Sequence, residues 1–485
     1  MSTTGFGILS FGAYLPRARL QRSVVAEANA WFAPGLKGLA KGERCIRNWD
    51  EDPITMAVEA ARDCLGERDR LSLSRLLLAS SSLPFGDRLN AGVVANALML
   101  PSGLRALDVA GSQRAGSGAL LEALEGGAAT PTLVVAADAR KAKAASTQEL
   151  VYGDGAAALL VGRGQPVATL IAANSETVDF VHQYRMHDRA HDYAWEERWV
   201  RDEGYLKIVP RAIGAVLKKA DFRPDQVTHF CLPGTVSRIQ PAVAKRCGLP
   251  DASVRDALGA VCGDTGVAHP LLMLGHALEE ARPGDVILLA AFGEGCDALL
   301  LRVTDAIAQA RPRRGVKGAL ANRREDGNYL RFLSVNGALD LERGMRAEPD
   351  KPTQMTALYR NRDMIQGLIG GKCRACGTVQ YPRQRYCVNP ECNALDSQHD
   401  YGFSERSGTL MSYTADALTY SPDPPTYFGM VAFDGGGRML LDLTEIEAGK
   451  IDVGLPMRMV FRIKDHDPLR GFRRYFWKAT PQCAH

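Results

Sequence analysis

The 485-residue chain has no apolar run long enough to cross a bilayer. Stretches such as Val286–Phe292 fall far short of the roughly 20 residues that a membrane helix needs. Strong charge of either sign is also missing. A formal net charge of +4 is small for this length, so no global attraction to a polyanion or a membrane surface is implied. The opening MSTTGFGILSFGAYLP carries no basic segment ahead of its apolar residues, so no secretory signal is expected. A disulfide framework is lacking as well. The eleven cysteines are odd in number and four of them cluster at metal-ligand spacing, which suits a reducing cytoplasm better. Together these absences predict a soluble cytoplasmic protein with no membrane contact.

What is present divides at the length prior of about 150 residues per domain into roughly three folding units. In residues 107–124, LDVAGSQRAGSGALLEAL, an apolar run breaks into small residues and restarts with Leu120, Leu121 and Leu124 on one helical face. This predicts strand, tight turn and helix. Gly111, Ser112, Ala115, Gly116, Ser117 and Gly118 leave little bulk around the first helical turn. Its unpaired amides, at the positive end of the helix dipole, favour a nucleophilic anion or an oxyanion there. The same small residues also let a buried helix lie close to a sheet.

A repeat runs through the first 300 residues. An apolar strand at 132–138 is followed by Tyr152-Gly-Asp154-Gly opening a second strand. The same order returns in residues 285–291, then Phe292-Gly-Glu-Gly-Cys-Asp297 leading into another strand. Such a pattern is what an internally duplicated α/β fold leaves in its sequence. Between the copies, residues 181–204 are rich in His, Tyr, Trp and charge without a clean period, as expected of an excursion over the surface or a substrate mouth. Residues 304–363 mix both charges and predict a connecting segment with short helices. Acidic residues interrupt the arginines of 311–314 and 323–324, which weakens a nucleic-acid role for them.

Cys373-x-x-Cys376 and Cys387-x4-Cys392 have the spacing of two zinc knuckles. Four thiolates fill the tetrahedral sphere of zinc and leave no position for a substrate, so a structural ion is predicted. Binding worth on the order of 10 kcal/mol would fold a segment with little core of its own. Five strand candidates follow at 408–414, 428–433, 438–443, 457–463 and 475–478, bounded by Gly, Pro and Asp turns, and suit a small OB-type barrel. Ribbon and barrel alone would also fit single-stranded nucleic acid, with Phe472, Arg473, Arg474, Tyr475, Phe476 and Trp477 as groove residues. The preceding 300 residues argue against that, and no nucleic-acid partner is expected.

Residues 107–124 resemble the nucleophile segment of the thiolase superfamily, specifically the archaeal-type hydroxymethylglutaryl-CoA synthases, in which Asp leads to Ala-Cys-Lys-Ala-Gly-Thr. Here Asp108 leads to Gln113-Arg114-Ala115-Gly116-Ser117, so Gln113 stands at the acyl-accepting cysteine. A carboxamide is not a nucleophile at neutral pH. Residues 41–65, with Gly-Glu-Arg, Asp50-Glu-Asp52 and a Met-Ala-Val-Glu-Ala-Ala helix, are similar to the same synthases. Ser81, in Ser81-Ser82-Leu83-Pro84-Phe85, matches the general acid/base glutamate and does not titrate near neutrality. In Thr228-His229-Phe230-Cys231-Leu232-Pro233 the catalytic histidine position is Cys231. His229 lies two residues earlier and would share its face of a strand. Asp264 takes the asparagine position of the Gly-Asn-Thr turn, where it can cap the next helix or move a proton. The resemblance further implies Lys207 and Gly116 as CoA contacts. Ribbon and barrel resemble the acyl-CoA-associated OB-fold proteins that accompany such enzymes.

These likenesses imply thiolase-like halves at 1–165 and 166–305, a connecting segment at 306–365, a zinc ribbon at 366–400 and an OB fold at 401–485. The function they imply is that of an acyl-CoA-binding subunit of a thiolase-type acyltransferase complex. It would lack the usual Cys/His/Glu set, form a homodimer within a hetero-oligomer, and rely on a catalytic thiolase-fold partner. The alternative is an acyl-CoA decarboxylase or aldolase that uses Gln113 where relatives use cysteine.

Overall fold

The computed structural model describes residues 5–127, 130–310, 312–342 and 354–482. Arg311, residues 343–353 of the connecting segment and Cys483 lie outside the described residues. The chain divides into two compact units, one of Met1–Asn48, Asp52–Val94 and Leu100–Leu339, the other of Trp49–Glu51, Ala95–Met99 and Asp340–His485. Among the described residues no helix is long and apolar enough to cross a membrane.

The first unit is built on nine strands: β1 (Gly5–Tyr14), β2 (Arg75–Ala79), β3 (Arg105–Val109), β4 (Thr132–Asp138), β5 (Gly155–Gly164), β6 (Ala168–Thr177), β7 (His229–Cys231), β8 (Val286–Phe292) and β9 (Gly295–Val303). Their order is β7-β8-β9-β6-β1-β5-β4-β2-β3. Read outward from the β1–β6 junction at Ile8↔Ala168, each side runs through two antiparallel neighbours and then into parallel pairing, one pair on the β6 side and two on the β1 side. That mirrored order is the duplication the two glycine turns predicted.

Strands β4 and β8 are buried along their whole length, which is why they are apolar runs rather than alternating patterns. Both faces are covered. Leu289 and Leu299 join the cluster of α2 (Ala115–Glu125) and α4 (His269–Glu280), whereas Leu288 and Leu300 join Val209, Ile213 and Val216 of α3 (Val209–Lys219). Neighbouring residues of one strand thus face opposite layers. Helix α1 (Pro53–Leu65) is buried throughout and begins with a reciprocal cap. The Asp52 carboxylate accepts from the Thr55 amide at 3.1 Å, and Asp52 N donates to Thr55 Oγ1 at 2.9 Å. The connecting segment supplies a short helix, Gly315–Ala321, and a strand, Arg324–Asp326, that pairs in parallel with Ala18–Gln21.

In the second unit β10 (Ile369–Cys373), β11 (Val379–Gln380) and β12 (Gln398–Gly402) form a three-stranded ribbon. Strands β13 (Ser407–Asp416), β14 (Thr426–Phe433), β15 (Arg438–Asp442), β16 (Pro456–Asp467) and β17 (Phe472–Pro481) follow in the order β15-β14-β13-β16-β17. A parallel bridge between Leu443 and Ala479 joins the two ends of that order, closing a small barrel. Its interior holds a charged cluster. Asp50, fully buried, accepts from Lys478 Nζ and Thr444 Oγ1 at 2.9 Å each, and Arg462 bonds Glu51 at 3.1 Å and Glu445 at 2.9 Å.

Candidate functional site

Strand β3 runs into a turn at Gly111, whose φ of +87° suits glycine, and α2 begins at Ala115. Gln113 sits at this amino end, half-buried. The turn is pinned by its neighbour. Arg114 Nε donates to the Gly293 carbonyl at 2.6 Å, and Nη1 reaches Asp297 Oδ1 at 2.5 Å and Ser175 Oγ at 3.1 Å. Ser117 Oγ donates to Asp297 Oδ2 at 2.6 Å. A Cβ on Gly293 would stand 2.9 Å from that of Gln113, so position 293 is a glycine because the Gln113 turn lies against it.

Gln113 lines a cavity of about 450 Å³ together with Arg140, Tyr152, His182, Tyr205, Asp264 and Phe292. Among the described residues no cysteine lines it. Arg140 Nη2 lies 3.1 Å from Asp264 Oδ2 and donates to the Asp264 carbonyl at 2.7 Å, while its guanidinium covers the Tyr152 ring at 3.8 Å from the centroid. Burial works against both charges. Arg140 is nevertheless raised by Asp264, Tyr152 and Asp138, and the Asp264 carboxyl is held below the usual range by Arg140 and His269. Asp264 Oδ1 also accepts the Gly266 amide at 3.0 Å, so this residue stays ionised and closes its turn. Tyr152 donates to Asp192 Oδ2 at 3.2 Å.

His182 is different in having little to hold it. Its buried Nδ1 makes no hydrogen bond of ordinary geometry among the described residues, the Phe180 carbonyl lies near the ring, and the ring is 5.1 Å from that of Phe292. Burial is the main reason its pKa is lowered, to about 4, with Arg140 adding; the Phe180 carbonyl and Asp264 oppose the shift. The imidazole is therefore neutral at ordinary pH. Beyond it, aromatic rings run out of the cavity. Phe180 stacks on Trp199 at 4.1 Å, Trp199 meets Trp195 at 6.4 Å, and Trp195 meets Tyr193 at 6.2 Å.

Of the residues singled out in the sequence, Gln113 and Asp264 come together at the cavity; the others lie elsewhere. Ser81 is committed to Asp138 through its amide and hydroxyl, at 2.8 Å each, alongside Ser80 and Ser82. Cys231 is fully buried with its sulfur 3.7 Å from the Met273 carbonyl, and burial pushes its thiol up to about 12. His229 Nε2 pairs with Asp285 at 3.0 Å. Lys207 is exposed and bonds Glu203 at 2.7 Å. Gly116 is a contact point of another kind: a Cβ there would lie 2.1 Å from the Val267 carbonyl, so its smallness serves helix packing. Sequence reasoning missed Arg140, Tyr152, His182 and Tyr205 as site residues. The aromatic composition of 181–204 pointed at a mouth without identifying a residue.

In the ribbon, the Sγ atoms of Cys373, Cys376, Cys387 and Cys392 all lie within 4.8 Å of one another. Tetrahedral zinc with bonds of about 2.3 Å places its sulfurs about 3.8 Å apart, close to the 3.9 Å of Cys373–Cys392 and the 3.5 Å of Cys376–Cys387. Each knuckle closes on its own backbone. Gly377 N donates to the Cys373 carbonyl at 2.9 Å, and Cys392 N to that of Asn389 at 3.0 Å. The four thiols fit a metal ion with no further ligand.

Residues 217–303 match the C-terminal domain of 3-oxoacyl-[acyl-carrier-protein] synthase III, 364–396 the rubredoxin-like zinc ribbon domain of ChsH2, and 403–462 the C-terminal OB-fold domain of ChsH2. The chain is a thiolase-like fold joined to a zinc ribbon and an OB fold. Its thiolase-like part is similar to the hydroxymethylglutaryl-CoA synthase of Aeropyrum pernix, 28% identical over 345 residues that cover 69% of this chain and 94% of that one. The synthase of Methanosarcina mazei is 27% identical over 347 residues, 69% and 99% of the two chains. Among solved structures, a hydroxymethylglutaryl-CoA synthase complexed with CoA shares this thiolase-like fold with a TM-score of 0.58 at 17% identity, over 82% of this chain and 99% of that one. The Aquifex aeolicus 3-oxoacyl-[acyl-carrier-protein] synthase III does so with a TM-score of 0.52 at 22% identity, over 61% and 100%.

Proposed function

We propose that this chain binds an acyl-CoA thioester in the cavity at Gln113 and makes or breaks a carbon–carbon bond without forming an acyl-enzyme. The observation that carries the reading is the carboxamide at the amino end of α2 in a cavity that no cysteine lines among the described residues. An acyl group needs a nucleophile, and a carboxamide is not one. The same amide can donate a hydrogen bond to a thioester oxygen as it gains charge. CoA as the carrier is supported by the relatives, two of whose solved structures hold CoA or 3-hydroxy-3-methylglutaryl-CoA. The four ribbon cysteines hold a structural zinc in this reading.

A second use of the same thioester site is to present it to a separate thiolase-fold protein that supplies the thiol. The ribbon and OB fold, which match the corresponding ChsH2 domains, favour membership of such a complex. One experiment addresses both readings. The full chain is purified natively and titrated with CoA esters, and intact mass is measured after incubation. The expected result is saturable binding, weakened by Gln113→Ala, with no added acyl mass. A covalent acyl group on any residue of the turning-over chain refutes the first reading. Cleavage only in the presence of a co-purifying thiolase-fold protein selects the second.

A further inference from the structure

We propose that the barrel of the second unit carries a peptide-recognition site for a tight turn presenting an aromatic residue followed by two carboxylates, filled here by the chain's own Trp49-Asp50-Glu51. A partner protein that displays such a turn is the ligand class the site takes. The inference does not depend on the thioester reading above, and its test leaves that reading untouched.

Residues Trp49–Glu51 lie far ahead of the barrel in sequence, yet they fold with the second unit. Trp49 and Asp50 form a turn, and the barrel holds it by backbone and by every side chain. Ile463 N donates to the Asp50 carbonyl at 2.8 Å. The Asp50 carboxylate accepts from Lys478 Nζ and Thr444 Oγ1 at 2.9 Å each. The same ammonium lies 4.1 Å from the centroid of the Trp49 ring, so one cation reads the aromatic face and the first acid together. Arg462 Nη2 reads the second acid, 3.1 Å from Glu51 Oε1.

The charges of the socket call for an acidic occupant. Lys478 and Arg462 are buried. Glu445, 2.9 Å from Arg462, answers that cation from within the barrel, whereas the carboxylate that answers Lys478 comes from Asp50. A buried ammonium without a counter-charge is costly. Burial works against the Asp50 carboxylate, but Lys478 and Arg462 hold it below the usual range, so the turn sits in the socket as an anion. Apolar side chains would join two distant segments with a smaller desolvation penalty. What the buried ion pairs add is selectivity, because a segment without the carboxylates strands Lys478. The resident turn belongs to the same chain, so its effective concentration is on the order of millimolar, and the socket of the wild-type chain is closed to weaker ligands in solution.

The test uses the full-length zinc-loaded chain and a fluorescein-labelled synthetic peptide of residues 46–53, Ile-Arg-Asn-Trp-Asp-Glu-Asp-Pro. Trp49→Ala/Asp50→Ser/Glu51→Ser empties the socket. By fluorescence polarisation the emptied chain is expected to bind the peptide saturably, at least tenfold more tightly than wild type, and the peptide is expected to raise the Tm of the emptied chain alone. A peptide with Asp50→Asn is expected to bind about 10- to 100-fold more weakly, as the loss of a charge-assisted hydrogen bond implies. Trp49→Ala/Glu51→Gln keeps the Asp50–Lys478 pair and is expected to fall between wild type and the emptied chain, which provides the comparison should the triple variant not fold. Absence of saturable binding to a folded variant, equal binding of the Asp50→Asn peptide, or equal affinity of wild type and the variants overturns the proposal.

Discussion

Where Gln113 stands is decided by Arg114, and breaking the Arg114–Asp297 pair tests the site and its scaffold at once. Asp297 is 1% exposed and accepts from Arg114 Nη1 at 2.5 Å and from Ser117 and Ser175 hydroxyls at 2.6 Å each. Truncating either charge leaves the other uncompensated in the interior, at a cost of about 3–5 kcal/mol. Removing both, as Arg114→Met with Asp297→Leu, forfeits the two serine hydrogen bonds at about 1 kcal/mol each but strands no charge. The singles then sum to about 6–10 kcal/mol against about 2 kcal/mol for the double, so a coupling of roughly 4 kcal/mol or more is expected. Urea unfolding of the full chain, followed by far-UV circular dichroism and tryptophan fluorescence, gives midpoints and slopes for all four proteins. Every variant is also expected to bind CoA esters less tightly, because Gln113 is no longer held against Gly293. Additivity within about 0.5 kcal/mol, or unchanged CoA-ester affinity in the double variant, refutes the reasoning.

Gln113→Cys places a thiol at the amino end of α2 without altering the Cβ contact to Gly293, and incubation with acetyl-CoA is expected to add one acetyl mass that wild type does not acquire. His182, with a folded pKa of about 4 against the ordinary 6.5, is protonated first in the unfolded chain. Its contribution to stability is complete above pH 6.5 and is lost as pH falls toward about 4, by up to about 3 kcal/mol; His182→Gln should flatten that part of a pH–stability curve, and an unchanged slope refutes the assignment. A strong chelator is expected to release one zinc per chain and to make the four ribbon thiols reactive, with a thiol count as the readout; fewer than four new reactive thiols counts against the tetrathiolate site. Lys478→Met strands the fully buried Asp50 carboxylate and is expected to destabilise the second unit by about 3–5 kcal/mol, measured by thermal unfolding; a loss below about 1 kcal/mol would mean that Arg462 and Thr444 suffice.

The parts of the fold that were legible are those whose cause is local. β4 and β8 are apolar runs because both faces are covered, and the two glycine turns betray the duplication because each must pass close to the other's neighbourhood. The barrel strands were placed by their turns, yet β16 runs to Asp467, past the predicted end at 463, because Arg474 bonds Asp465 at 2.6 Å and carries the hairpin outward through charged residues. The four ribbon cysteines declared themselves by spacing alone. The site was legible only where a motif fixed the register, at Gln113 and Asp264. Ser81 is committed to Asp138, 57 residues away, a partner that no local pattern reveals. His182 belongs to a stretch with no period, so nothing in its spacing marked it.

The charge balance of the cavity bears on what it can accommodate. Arg114, the cation nearest the turn, is spent on Asp297, and Arg140 is matched by Asp264, so no net positive charge faces Gln113 from these pairs. A substrate that enters as a permanent anion at the reacting carbon would find no free counter-ion among them. A neutral thioester whose oxygen turns negative only during bond cleavage needs something else, oriented amides and a carboxamide dipole that act when the charge develops. Those are what the amino end of α2 and Gln113 offer. Adding a cation beside them, as in Asp264→Asn, which releases Arg140, should therefore tighten binding of anionic esters such as malonyl-CoA relative to neutral ones; equal effects on both would show that Asp264 does not set this preference.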